Sequence, residues 1–446
     1  MVPHVVIVGG GFGGLSAARA LRGAAVRVTL VDKRNYHLFR PMLYQAATGL
    51  LSDDEISGPL RSILSRQKNI DVLLDEVTGI DPKQRIVHLM HGQLAYDFLI
   101  LATGIRYNYF GHDEWRQFAP SLESLDDADL IRSKILLAFE RAEEIASISE
   151  AAKEVRNEEI RRLLTFALVG GGTVGVEMAS TLAEMSRMAL AHDFRHIDPK
   201  TARILLYEAG PRILPTYPAV LSSKAQRHLE SLGVQVFTDA RVTNVDADGI
   251  FVGGNKVPAG TVLWGAGVIA SPAGQWLGVE TDKNGKIMAE PDLSLRDHPE
   301  VFAIGDTIHL VAPVRNLLGI KSSAPMPMPG VAQPAIQQGE YVAGVIRRRI
   351  AGRPQPKPFW YWDKGDLAIV GRTYAVADLR IARFAGFPAW ILWAGVHIYF
   401  LIGFANRLFV LLQWGLGFLT KRRRVRVLSE EPASAQSVMD PQAKAS

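Results

Sequence analysis

The sequence predicts an α/β protein that uses one strand–loop–helix unit twice and ends in an amphipathic helical region. Three observations carry that prediction: a glycine-rich stretch after a short β-branched run near residue 9, a second copy of the pattern near residue 170, and 23 residues without a formal charge at 384–406. The bulk composition permits it. The 446 residues suffice for two or three domains of ordinary size. With 48% hydrophobic and 21% charged residues the chain is globular in composition. The formal charge of +5 comes largely from KRRRVR at 421–426, a local patch unlike the broad basic surface of a nucleic-acid binder. There is no cysteine, which excludes disulfides, thiolate metal sites, Cys-ligated iron–sulfur clusters and a redox dithiol. The start, MVPHVVIVGGG, has an apolar run of only four residues before glycine and no basic leader, so the catalytic body is expected in the cytoplasm.

The first copy, HVVIVGGGFGGLSAARAL, places Gly9, Gly11 and Gly14 in G-x-G-x-x-G spacing, with Gly13 beside them. The second, LTFALVGGGTVGVEMASTLAEM, places Gly170, Gly172 and Gly175 likewise. Strand, glycine loop and helix in that order is the context of a Rossmann-like dinucleotide fingerprint. The missing side chains allow a tight turn, close approach of backbone to a pyrophosphate, and close helix–strand packing, with the pyrophosphate on the positive helix end.

Each second strand then ends in a carboxylate: Asp32, followed by Lys33, in VRVTLVDKR, and Glu208 in ARILLYEAG. Glu208 lies further from its glycines than the usual ~20 residues, so MALAHDFRHIDPKT reads as an insertion or extended helix. An acid there accepts from ribose hydroxyls and repels a 2′-phosphate, which predicts NAD over NADP in the second site. A further strand closes each copy, FLILATG with Thr103 and Gly104, and TVLWGAG with Gly267. Gly9 to Gly104 spans 95 residues and Gly170 to Gly267 spans 97, so the match extends beyond the glycines and points to a duplicated nucleotide-binding domain. Between the copies, residues 121–164 have helical periodicity and scattered charge, and are expected to form a solvated pair of connecting helices.

Two dinucleotide sites suggest FAD in one and a pyridine nucleotide in the other, with hydride passing between them. The first half resembles the two-dinucleotide-binding-domain flavoproteins of glutathione-reductase-like fold, with non-covalent FAD in the N-terminal site. HPEVFAIGDT, with Gly305 and Asp306, resembles the segment that closes over FAD. NYHLFRPMLYQAATG, GGGTVGVEMA, AQPAIQ and HIYFLIGFANRLFVLLQW together resemble type II NADH:quinone oxidoreductases, over nearly the whole chain to about residue 428. The resemblance implies an FAD-binding domain of residues 1–112 and 290–350, a connector at 113–165, an NADH-binding domain at 166–289, a membrane-association and dimerisation region at 351–428, and a disordered tail at 429–446.

It also implies roles. Ala332 and Gln333 lie beside the flavin, and Gln333 and Gln337, four apart and so on one helical face, offer amides to quinone carbonyls. Glu177 orients the nicotinamide or relays protons, Thr48 touches the flavin pyrimidine edge, and Lys364 belongs to a block that closes over the flavin. By themselves these residues have plainer readings: Glu177 complements a helix dipole, Thr48 is a turn residue, Lys364 is a surface ion pair. The chain departs from the family in having Arg40 where Gln is common, and Thr173-Val174 where Pro-Thr is common. His37 and His397 lack partners at metal-ligand spacing, so no metal is expected.

Length alone makes 384–406 a candidate span. Pro388, the interspersed glycines, His397 in the middle and a second amphipathic stretch after Arg407 stand against a span. Trp390, Trp393 and Trp414 suit a membrane interface and 421–426 suits anionic headgroups. The family resemblance implies two helices lying in one leaflet. The expectation is therefore a monotopic, dimeric NADH:quinone oxidoreductase without proton pumping. It sits on the cytoplasmic face of the inner membrane through residues 384–426, and its acceptor is ubiquinone or menaquinone. Rivals are a sulfide:quinone oxidoreductase, which needs the absent cysteines, a reductase of a protein acceptor, and a non-catalytic NADH sensor.

Overall fold

The computed structural model describes residues 2–420. The basic run at 421–426 and the tail at 429–446, with the expectations placed on them, lie outside the described residues. The chain opens with β1 (His4–Val8), α1 (Phe12–Ala20), β2 (Arg27–Asp32), α2 (Leu43–Ala47), β3 (Ile70–Leu74) and β4 (Phe98–Leu101), followed by a short β5 (Ile105–Tyr107). The strands β4-β1-β2-β3 form a parallel sheet. All five residues of β1 are buried, as expected of a parallel strand covered on both faces. A three-stranded antiparallel meander from Val77 to Ala95 sits between β3 and β4.

The same plan follows after α3 (Leu125–Ile148): β6 (Thr165–Val169), α4 (Thr173–Glu184), β7 (Arg203–Tyr207), β8 (Val234–Phe237) and β9 (Thr261–Trp264). Here β8-β7-β6-β9 is the parallel sheet, and an antiparallel meander from Val242 to Pro258 stands between β8 and β9. The two units match strand for strand. They are joined by antiparallel pairing of β5 with β10 (Val268–Ala270), Arg106 facing Ile269.

Two expectations need adjusting. The segment after α4 continues the helix by one π turn, Met185–Ala189, and then turns back through a single 3-10 turn at Pro199–Thr201. The first connecting helix, α3, is not solvated all round. Its Ser124 caps the helix and closes a box with Asp127, and it buries Ile131, Ile135, Leu136 and Phe139 in the core that α4 also lines. The second, Lys153–Leu163, buries only Leu163.

The first sheet is completed from far along the chain. β11 (Val301–Ala303) adds in parallel beyond β4, Val301 facing Leu99, and α5 (Ala332–Ile350) then lies across α1. The crossing is close because Gly339 presents no side chain: a Cβ there would strike the Gly13 carbonyl and stand 3.0 Å from the Ala17 nitrogen.

The last described unit is an antiparallel sheet of β12 (Asp366–Ile369), β13 (Ala375–Asp378) and β14 (Arg383–Gly386), followed by α6 (Phe387–Phe400) and α7 (Phe404–Thr420). α6 buries Ala389 and Trp393 against the sheet, while Phe387, Ile391 and Tyr399 are exposed. Its outer face is therefore apolar, where an amphipathic helix facing water would be polar. No helix among the described residues is long and apolar enough to cross a membrane.

One arginine ties this sheet together. Arg380, itself at φ 69°, reaches Asp363 at 2.7 Å, Asp366 at 2.6 Å and Asp378 at 2.9 Å. Asp363 and Asp378 are buried, so removing the cation strands carboxylates in a poorly solvated place. An Arg380→Met variant should lose about 2 kcal/mol of stability, allowing for the partial exposure of the guanidinium. Urea unfolding followed by tryptophan fluorescence measures it.

Candidate active site

The two glycine loops are built alike. Gly9 and Gly170 both have φ +106°, and a Cβ at either would strike the backbone of the neighbouring strand end, at Ala102 and Gly265. Gly14 and Gly175 press on the carbonyls of Gly9 and Gly170, which brings each helix against its strand. Gly11 and Gly172, by contrast, have nothing within 4 Å of an added Cβ. These open positions are the N-caps of α1 and α4, where no side chain caps the helix and no acid occupies the first turn. First-turn amides so presented are an anion site.

The strand-end carboxylates hold the loops. Asp32 accepts from Gly10 N at 2.5 Å and Arg34 N at 2.8 Å, and Glu208 accepts from Gly171 N and Gly210 N, both at 2.7 Å. Burial raises the Asp32 pKa, and the two backbone bonds partly offset it. Lys33 is exposed beside it. Each loop therefore fits a dinucleotide: an open glycine, an uncapped helix start and an acid tethered to the turn.

The first loop has further neighbours. Gly305, at φ +71°, turns the chain after β11, and its N–H donates to Gln338 Oε1 at 2.6 Å. That bond fixes Asp306 beside the start of α5. Burial raises the Asp306 pKa, against the pull of Lys286 and Arg40. Thr103 Oγ1 meets Ser271 Oγ at 2.5 Å and Thr307 Oγ1 at 3.2 Å, and Gly104 N donates to Thr307 Oγ1 at 2.8 Å. These hydroxyls link the end of β4 to the loops after β10 and β11. Gln338, Ser271 and Thr307 were not singled out from the sequence; only the run of glutamines and the end of HPEVFAIGDT hinted at the first and third.

The helix start separates the three glutamines. Gln333, just inside α5 next to Ala332, has a buried Oε1 with no partner. Gln337 is closed onto main chain, its Nε2 donating to Trp362 O at 3.0 Å and its Oε1 accepting from Trp362 N at 2.9 Å. Gln338 is the fully buried strap to Gly305. Lys364 Nζ lies 5.3 Å from the ring centroids of both Trp362 and Phe400. Thr48 is fully buried at the end of α2 and donates to Tyr44 O at 2.8 Å.

Glu177 is buried one turn into α4. Desolvation holds its pKa well above the usual 4.5, and a single backbone donor, Ile369 N–H at the end of β12, opposes it. The carboxyl is felt by the buried phenols of Tyr107, on β5, and Tyr217, which bonds Thr173 at the start of α4. Arg40 acts on both Tyr107 and Asp306, so its charge lies between the surroundings of the two loops. Gly267, at φ +69°, faces the ring of Phe110.

The profile of the pyridine nucleotide-disulphide oxidoreductase family matches residues 3–339. The type II NADH:quinone oxidoreductases NdhA and Ndh of Mycobacterium tuberculosis are each 40% identical to this chain over 98% of its length, covering 91% and 92% of theirs. Among solved structures, NDH2 from Plasmodium falciparum in complex with NADH aligns over 95% of this chain and 99% of its own, with a TM-score of 0.83 at 21% identity. The sulfide:quinone oxidoreductase of Aquifex aeolicus aligns over 90% of both chains with a TM-score of 0.68 at 18% identity. The structural likenesses show the fold, and the 40% identity along nearly the whole chain shows the group: this protein belongs to the type II NADH:quinone oxidoreductases, within the pyridine nucleotide-disulphide oxidoreductase family.

Proposed function

We propose that the protein oxidises NADH on its second nucleotide-binding unit and reduces a membrane quinone through FAD held by its first, without pumping protons. The observation that carries this reading is the pair of matched glycine loops, each with an open N-cap glycine and a tethered carboxylate. Bound FAD supplies the two-electron chemistry, taking a hydride from a nicotinamide and yielding its electrons to a quinone. The chain supplies position. The amides at the start of α1, with Asp32, Thr103, Asp306 and the start of α5, hold the flavin nucleotide. Those at the start of α4, with Glu208, hold NADH.

Burial raises the Glu177 pKa and so favours its protonated form, which suits an acid beside a site whose acceptor takes up protons on reduction. Its charge acts on the buried phenol of Tyr217, which is bonded to Thr173 at the start of the same helix. Gln333, with an unpaired buried carbonyl oxygen at the helix start, is the more available of the two glutamines for contact with a ligand.

The acceptor, ubiquinone or menaquinone, reaches the site from a membrane on which α6 and α7 lie, on the cytoplasmic face and in a homodimer. Two observations support the membrane contact of α7. The outer residues of α7 include exposed Leu408, Phe409, Leu411 and Leu412. Its inner side is stitched to the α2 region, Trp414 Nε1 to Gln45 Oε1 at 2.9 Å and Gln413 Nε2 to Glu55 Oε1 at 2.6 Å. The helix that meets lipid is thereby coupled to the segment that carries Thr48.

The reading is tested by adding NADH, then a short-chain quinone, anaerobically to purified protein while following the flavin band near ~450 nm. Bleaching followed by recovery is expected. Bleaching without recovery would move the acceptor to another class, and no bleaching would defeat the two-site assignment. A Glu208→Gln variant should raise the kcat/KM ratio of NADPH to NADH by about tenfold, because the carboxylate that repels a 2′-phosphate is gone.

Glu177 gives a pH signature. Its folded pKa is raised, so its contribution to stability is complete below about 4.5 and is lost as pH rises toward the folded value. Over that interval wild type should lose stability relative to Glu177→Gln at a slope approaching ~1.4 kcal/mol per pH unit, measured as urea midpoints from about pH 5 to 8.

A further inference from the structure

Beyond β11 the chain leaves the first sheet and makes a small exposed arm. Val314–Arg315 pairs in parallel with Tyr361–Trp362, and the chain then turns back so that the backbones of Arg315 and Lys321 form an antiparallel β-bridge. The turn is built by its own bonds: Asn316 N donates to Ile320 O at 3.0 Å, and Asn316 Oδ1 accepts from Leu318 N at 3.1 Å and Ile320 N at 3.0 Å. A self-satisfied turn in water ordinarily carries polar residues at its apex. This one exposes Leu318 at 68% and Ile320 at 60%.

The surroundings share that character. Trp360 and Trp362 are both exposed at the base of the turn. The Arg315 guanidinium sits 4.9 Å from the Trp360 ring centroid, and Trp362 Nε1 donates to Asn316 O at 3.1 Å. Lys364 bridges Trp362 to Phe400 at the end of α6, so the patch runs on to the exposed Tyr399 without a break. Its charges are Arg315, Lys321 and Lys364, while the nearby acids Asp363 and Asp366 are held by Arg380. An apolar apex, tryptophans at its base and cations around it match the headgroup and acyl boundary of an anionic bilayer.

We propose that the 315–321 turn, with Trp360 and Trp362, is a second lipid-contact site that inserts Leu318 and Ile320 into an anionic membrane surface. It rests on the membrane reading of α6 and α7 for its continuity with them. A contact confined to α6 and α7 leaves the molecule free to rock, whereas one extended to the turn sets its tilt. Gln337 carries that constraint inward, since its amide is bonded to the Trp362 main chain on the helix whose first turn bears Gln333.

The test is flotation of the flavin-loaded protein with phosphatidylcholine vesicles, with and without phosphatidylglycerol. Leu318→Ser/Ile320→Ser should lower partitioning on the anionic vesicles by about tenfold. Lys321→Glu should weaken binding on anionic vesicles and leave binding on neutral ones unchanged. Turnover with a short-chain quinone in solution and the thermal midpoint should not move. Ile391→Ser on α6 reports the other contact separately.

If both turn variants float like wild type while Ile391→Ser does not, the second site is overturned and the membrane reading stands. If wild type itself does not float, both fall. A turn variant that keeps vesicle binding but shifts the oligomeric mass assigns the patch to a second copy of the chain and overturns the lipid proposal. Should the double variant fail to fold, Lys321→Glu, a change at an exposed side chain, still decides the outcome.

Discussion

The site depends on one repeated interaction, a strand-end carboxylate bonded to an amide of a glycine loop. Asp32 to Gly10 and Glu208 to Gly171 do the same work in the two units. A loop without side chains has little to hold its shape, and glycine loses more conformational freedom on ordering than any other residue. An anionic acceptor at 2.5 to 2.7 Å supplies a strong, directed restraint. It leaves the helix-start amides pointing outward, where a phosphate needs them. The carboxylate is thus a structural tether before any nucleotide arrives, and a ribose recognises a group already fixed in place.

The two units differ in what is added to that common core. The second adds Glu177, whose carboxyl meets the Ile369 amide of the last sheet and acts on the phenols of Tyr107 and Tyr217. The first adds a lid of distant segments: the Gly305–Asp306 turn, the start of α5 and the hydroxyls of Ser271 and Thr307. The Arg380 cluster bears on the second unit directly, because β12, which it anchors, ends at the amide that meets Glu177.

Local features were legible in the sequence and long-range ones were not. The glycine loops, their strands and the closing strands were readable because glycine spacing and β-branched runs report conformations within a few residues. The shared 95- and 97-residue intervals made the duplication readable as well. Helix periodicity placed Gln333 and Gln337 on one face of a helix, but it carries no information on what lies opposite. The bond from Gln337 to Trp362, and the one from Gln338 to Gly305, join residues 25 and 33 positions apart. The partners of Arg380 and the buried face of α3 are similarly set by tertiary packing. Charge in the α3 sequence suggested solvent all round, yet Ile131, Ile135 and Phe139 fall on one side at helical spacing.

The insertion of β11 beside β4 bears on how the chain is made. Leu99 pairs with Val301, 202 residues later, whereas each of the strands β6 to β9 finds its partners within its own unit. At translation rates of roughly 5–20 residues per second, the emerging first sheet waits about 10–40 s for its edge strand. During that time β4 presents an unpaired apolar edge, and the second unit can fold complete. Of the two nucleotide-binding units, the one synthesised first is thus finished last, and that interval is when its sheet edge is open to wrong pairing.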